Sequence, residues 1–77
     1  MTDAWLQTIE ATFERDFGLE EVRAEFAQGP IPHQAALTVY VPTAPTAAMR
    51  ELARAIAAEW AELDKVLWVR VLGQRQP

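Results

Sequence analysis

The 77-residue chain contains no cysteine, no serine and no asparagine. The missing cysteine excludes disulfides, thiolate metal ligands and thiol nucleophiles, and the missing serine excludes a serine nucleophile. Glycine is scarce, because only Gly18, Gly29 and Gly73 are present, and none belongs to a phosphate-binding loop. HExxH and zinc-finger spacings are absent as well. The sequence therefore predicts a non-catalytic protein without a cofactor or a metal site.

Long apolar runs and positive charge are also scarce. No segment approaches the ~18 apolar residues of a membrane span, and the opening MTDAWLQTIE lacks the features of a signal peptide. The formal charge is -4 and the sequence pI is about 4.8, so phosphate backbones and anionic lipid surfaces are repelled. We therefore expect a cytoplasmic protein that neither inserts into membranes nor binds nucleic acid.

The residues that are present describe a small folding domain. Hydrophobic residues make up 51% of the chain and charged residues 23%, unlike the composition of a disordered segment. In a chain of 77 residues, burial of a single core only marginally offsets the ~1.5 kcal/mol per residue that ordering the chain costs. Additional burial through association is therefore expected, and the partner is either a second copy of the protein or another protein.

The first half of the chain predicts one helix followed by two strands. Apolar residues recur every three or four positions over residues 3–17, and Gly18 stands where a left-handed residue ends a helix. The period changes to two over residues 20–27 and again over residues 35–41. The segment QGPIPHQ between these strands is a connection, since its prolines cannot donate hydrogen bonds to a sheet.

The second half predicts a helix over residues 44–63 and a strand over residues 66–72, followed by a tail over residues 73–77. Thr43 or Thr46 is the expected helix cap. The expected apolar stripe of this helix consists of Met49, Leu52, Ile56, Trp60 and Leu63.

The element order helix, strand, strand, helix, strand indicates a single α+β domain over residues 1–77. Two amphipathic helices cover one face of a three-stranded sheet and leave the other face open. The order of the strands is left undetermined, because the last strand fits beside either of the other two.

The open face predicts a protein interface. On the last strand, Val66, Trp68, Arg70 and Leu72 point away from the core, and Tyr40 does so on the second strand. An outward Trp with apolar neighbours is typical of a contact surface, and Arg70 is placed to stack on the Trp68 ring or to pair with an acid. The predicted interface residues are Trp68, Tyr40, Arg70 and Val66.

The single histidine, His33, is the candidate for different chemistry. Histidine serves as a metal ligand or a general base, but its neighbours Gln28 and Gln34 are poor ligands for transition metals. A solvated loop histidine is the simpler interpretation. A metal-responsive regulatory module that uses His33 with acidic residues brought close by folding is the alternative function.

The stretches LTVYVPTAPTAAMRELARAIAAEW and LDKVLWVRVLG, in this element order, resemble the cytoplasmic, metallochaperone-like domain of cation diffusion facilitator transporters. The resemblance implies dimerisation through the sheet. Histidines bind metal on the second and last strands in that family, where this chain has Thr38 or Tyr40 and Arg70. The order also resembles the BON domain. That family has glycines before and after its second strand, where this chain has Gly29 and Pro42. Both resemblances imply a docking or assembly module.

Overall fold

A computed structural model describes residues 2–29 and 34–73 and confirms the predicted α+β fold. The elements are α1 (Thr2–Phe17), β1 (Arg23–Gln28), β2 (Gln34–Val41), α2 (Ala47–Ala61) and β3 (Val66–Gly73). The three strands form one sheet in the order β1-β2-β3, in which β2 pairs antiparallel with β1 and parallel with β3. The position of the last strand is thereby determined: β3 is an edge strand beside β2. The predicted tail lies outside the described residues from position 74 onward.

The core lies between both helices and one face of the sheet. Leu37, Val39 and Val41 of β2 are 0% exposed and alternate along the strand, as the period of two predicts. The residues that pack on them include Ile9 and Phe13 of α1, Met49, Ala53 and Ile56 of α2, and Leu67 and Val71 of β3. Because all the buried apolar strand residues share one face, the opposite face of the sheet is left uncovered.

An aromatic cluster joins the two helices to β1. Trp5, Phe26 and Trp60 lie with their ring centroids 5.6 to 5.8 Å apart, and the Lys65 ammonium sits over the Trp60 ring at 5.9 Å. The sequence assigned Trp5 and Trp60 to the core, and the structure packs both against it.

The first helix ends at the predicted glycine. Gly18 has a φ of +62°, and the Leu19 amide donates to the Glu14 carbonyl at 3.0 Å. This is the hydrogen bond of a Schellman cap, which needs a left-handed residue at the glycine position. Leu19 packs against the core, as expected for the residue after such a cap.

Two predicted boundaries differ from the structure for backbone reasons. The first strand begins at Arg23 and not at residue 20, because Glu21 has a φ of +59°, outside the extended region. The second helix begins at Ala47 and not at residue 44, because Thr46 is the N-cap and its side chain accepts a hydrogen bond from the Met49 amide at 3.3 Å.

The predicted apolar stripe of the second helix was wrong at Leu63, which is 66% exposed. The helix ends at Ala61, and the Lys65 amide then donates to the Trp60 carbonyl across Asp64, whose φ is +58°. Leu63 thus lies in the turn between the end of α2 and the left-handed Asp64, and its side chain is exposed to solvent.

Acidic side chains of α1 cover the start of the outer edge of β1. Glu10 accepts a hydrogen bond from the Ala24 amide at 2.8 Å, and Glu14 accepts one from the Val22 amide, just before the strand, at 3.2 Å. Their carboxylates occupy backbone donors that would otherwise be open to another chain.

We expect Glu10→Ala to lower the free energy of unfolding by about 1–2 kcal/mol, because it leaves the partly buried Ala24 amide without its carboxylate acceptor. In thermal unfolding, that loss lowers Tm by about 4–8 °C per kcal/mol in a domain of this size. Glu51→Ala, at an exposed position of α2, is the matched control. Equal losses in the two variants would show that the carboxylate does not support the strand edge.

Candidate interaction surface

The uncovered face of the sheet, here called the open face, is formed by side chains of all three strands. Its members are Arg23, Glu25 and Ala27 of β1, Ala36, Thr38 and Tyr40 of β2, and Val66, Trp68, Arg70 and Leu72 of β3. The four predicted interface residues all belong to this set.

The strand register arranges the open face in three rows that cross the sheet from β1 to β3. The first row contains Ala27, Ala36 and Trp68; the second contains Glu25, Thr38 and Arg70; the third contains Arg23, Tyr40 and Leu72. The large apolar residues Trp68 and Leu72 are thus at the β3 side of their rows. Small or charged residues are at the β1 side.

Trp68 is the most prominent apolar residue of the open face. It is 67% exposed, and its neighbours on the same side of β3, Val66 and Leu72, are 42% and 39% exposed. A depression of about 350 Å³ lies beside the Trp68 ring and is also lined by Ala36, Val69 and Arg70. A bulky aromatic residue next to a shallow depression is the arrangement that hot spots of protein interfaces commonly show.

Arg70 is held in place by its neighbour on β2. Its Nε donates to Oγ1 of Thr38 at 3.2 Å, which helps to bury Thr38 to 7% exposure. The guanidinium remains exposed at the surface. Tyr40, in the next row, is half-buried beside Leu72. The predicted polar contact of the interface is therefore oriented before any partner binds, which reduces the entropy lost on binding.

Sequence reasoning placed Glu25 and Ala36 on the side of the strands away from the core, with Glu25 in a solvated strand, but did not name them as interface residues. The register places Glu25 in one row with Arg70. No pattern in the sequence contains this information, because periodicity assigns a side chain to a face but does not assign its neighbours across strands.

The alternative metal site has no support in the described residues. Within residues 2–29 and 34–73, no three histidine, cysteine, aspartate or glutamate side chains come together as ligands. His33, on which the alternative depends, lies outside the described residues. A metal-responsive role therefore stays a prediction.

Comparison of the chain with protein-family models, with curated proteins and with solved structures gives no match. The two family resemblances therefore stay predictions. No helix in the part of the chain that the structure describes has the length and hydropathy needed to cross a membrane.

Proposed function

We propose that the protein is a non-catalytic assembly module that forms a homodimer by packing its open face against that of a second copy. The observation that carries this proposal is the 67% exposure of Trp68 on an otherwise regular sheet. The other two tryptophans, Trp5 and Trp60, pack against the core. A tryptophan that the fold does not use internally is best explained by an external contact.

Two of the three rows support a second copy as the partner, because they are complementary to themselves. When two open faces are related by a two-fold axis along β2, the β3 side of one copy covers the β1 side of the other. Trp68 then lies over Ala27 and beside Ala36 of the second copy, and Arg70 lies over Glu25 of the second copy. In these rows a large residue meets small ones and opposite charges meet, each twice, while the third row places Leu72 over Arg23.

The usual geometry of packed sheets preserves these pairings. Sheets in sandwiches cross at about 30°, which displaces strands adjacent to the axis by roughly 2.5 Å along their length. This displacement is less than one residue. A two-fold axis perpendicular to the strands would instead superpose β3 on β3, whose outward side chains include no acid, and leave Arg70 without an acidic partner.

The size of the open face sets the expected affinity. Three strands about 4.8 Å apart and up to 8 residues long present a flat area of roughly 400 Å². A standard interface removes about 800 Å² of accessible surface from each partner. We therefore expect a dimer with a dissociation constant in the micromolar range.

Charge reversal tests both the partner and the orientation. We expect Glu25→Arg and Arg70→Glu to weaken dimerisation about tenfold each, because each places like charges opposite one another at both ends of the two-fold interface. The double variant restores opposite charges and is expected to return to within about threefold of the original affinity. Sedimentation equilibrium gives the dissociation constants.

The control for charge reversal is Arg15→Glu, since Arg15 lies on α1 and is 77% exposed in its side chain. Circular dichroism checks that every variant folds. Additive losses in the double variant would disprove the Glu25 to Arg70 pairing, and a monomeric wild-type protein would disprove self-association altogether. The cytoplasmic location of the module stays a prediction.

A further inference from the structure

A cavity of about 500 Å³, here called the edge groove, runs along the side of β3 that faces away from β2. It is lined by β3 residues 67–71 and, on α2, by Arg50, Ala53, Arg54 and Ala57. Consecutive side chains of a strand point to opposite faces, so a cavity that touches five in succession lies at the edge that they share. Because β3 pairs with β2 on its other side, this is the free edge of the sheet.

The backbone of β3 is suited to receive another strand. The strand has 8 residues, contains no proline, and has glycine only at its last position, Gly73. Alternate residues of an edge strand direct their N–H and C=O groups away from the sheet, where an extended segment can bond to them. At the opposite edge of the sheet, carboxylates of α1 already occupy one such donor, the Ala24 amide, and the Val22 amide just before β1.

The edge groove also concentrates positive charge. Arg50, Arg54 and Arg70 line it, and they are three of the 7 basic residues in a chain of net charge -4. Arg50 and Arg54 are one helical turn apart and exposed, and neither forms an ion pair within the described residues. Ala53 and Ala57 of α2 and Leu67 of β3 supply an apolar lining beside these arginines. The groove therefore offers the free backbone groups of β3 to an added strand and arginine side chains that favour negative charge.

We propose that the edge groove binds an extended acidic peptide segment of another protein, which adds to β3 as a fourth strand. Strand addition supplies affinity through the backbone, and the arginines of α2 select acidic side chains. A second copy fits this edge poorly, because a sheet continued through two β3 strands would bring Arg50 and Arg54 of both copies to one side. The added strand lies at the edge and toward α2, but Trp68 and Arg70 line both the groove and the open face, so the peptide and the proposed dimer share these two side chains.

Titration calorimetry with synthetic peptides tests the proposal. The probe is a peptide of about ten residues that alternates Glu and Val, long enough to span β3. We expect the peptide that alternates Gln and Val to bind at least about tenfold more weakly, and the peptide that alternates Lys and Val not to bind. Raising the salt concentration is expected to weaken binding of the acidic peptide. Similar affinity for all three peptides would overturn the proposal.

A double substitution on α2 tests whether the peptide binds in the edge groove. Arg50→Gln with Arg54→Gln is expected to weaken binding of the acidic peptide at least about tenfold, and glutamine keeps the helix propensity of the position. Arg15→Glu changes the net charge by the same two units far from β3 and is expected to leave the affinity within about twofold. Equal effects of this variant and of the Arg50 and Arg54 pair would show that net charge, and not the groove, attracts the peptide.

The backbone contribution is tested with the acidic peptide N-methylated at alternate residues. Only one set of alternate amides in an added strand faces β3. We therefore expect one methylated peptide to lose binding and the other, with the complementary set methylated, to retain it. Equal binding of both would exclude strand addition. Tighter self-association of the Arg50 and Arg54 pair variant would identify a second copy as the occupant and overturn the proposal. None of these outcomes depends on the Glu25 and Arg70 variants that test the dimer.

Discussion

Trp68→Glu is expected to convert the proposed dimer into a monomer. The substitution removes the largest apolar side chain of the open face, which is 67% exposed in the isolated chain, and places a charge where the proposed second copy would pack. Removal of a central interface tryptophan commonly costs about 2 kcal/mol or more, which weakens a dimer at least about thirtyfold. Light scattering coupled to size exclusion chromatography measures the change directly.

The control for this experiment is Leu63→Glu. Leu63 is 66% exposed, nearly the same fraction as Trp68, but it lies in the turn after α2 and off the open face. A second readout is the dependence of Tm on protein concentration, which a dimer shows and a monomer lacks. If Leu63→Glu and Trp68→Glu dissociate the protein equally, general surface charge is responsible and the open face is not the interface.

Phe13→Ala is expected to cause the largest loss of stability. Phe13 is 0% exposed in the core, and its ring lies 5.7 Å from that of Phe17. Replacing a buried phenylalanine by alanine costs about 3–5 kcal/mol through lost burial and the cavity that remains. The total stability expected for 77 residues is only about 4–12 kcal/mol, so the variant loses a large part of it.

Urea unfolding followed by circular dichroism measures this loss. Phe13→Leu keeps most of the volume and is expected to cost less than about 1.5 kcal/mol. Phe17→Ala, at a half-buried position of the same helix, is expected to fall between the two. Similar losses for Phe13→Ala and Phe17→Ala would show that α1 is not anchored in the core through Phe13 as the structure has it.

The secondary structure could be predicted from the sequence where side-chain period and backbone chemistry agree. Gly18 and the apolar stripe before it located the end of α1, and the alternation of Leu37, Val39 and Val41 assigned the buried face of β2. The exposure of Trp68 followed from the same alternation on β3. Each of these features depends on residues that are close in sequence.

The remaining features depend on residues that are distant in sequence. Local patterns do not determine the strand order, the bond from the Ala24 amide to Glu10, or the row that contains both Glu25 and Arg70. The edge groove arises only when α2 packs beside β3. The left-handed Glu21 could not be predicted either, because glutamate rarely adopts that conformation.

The unequal edges of the sheet limit how large an assembly can become. A sheet with two open edges can polymerise, because each added molecule offers a fresh edge to the next. Here Glu10 and Glu14 occupy the Ala24 amide of β1 and the Val22 amide just before it, so strand addition is disfavoured at that edge relative to β3. Head-to-tail contacts between β3 of one molecule and β1 of the next are thereby opposed. The two carboxylates act against filament formation as well as supporting the fold.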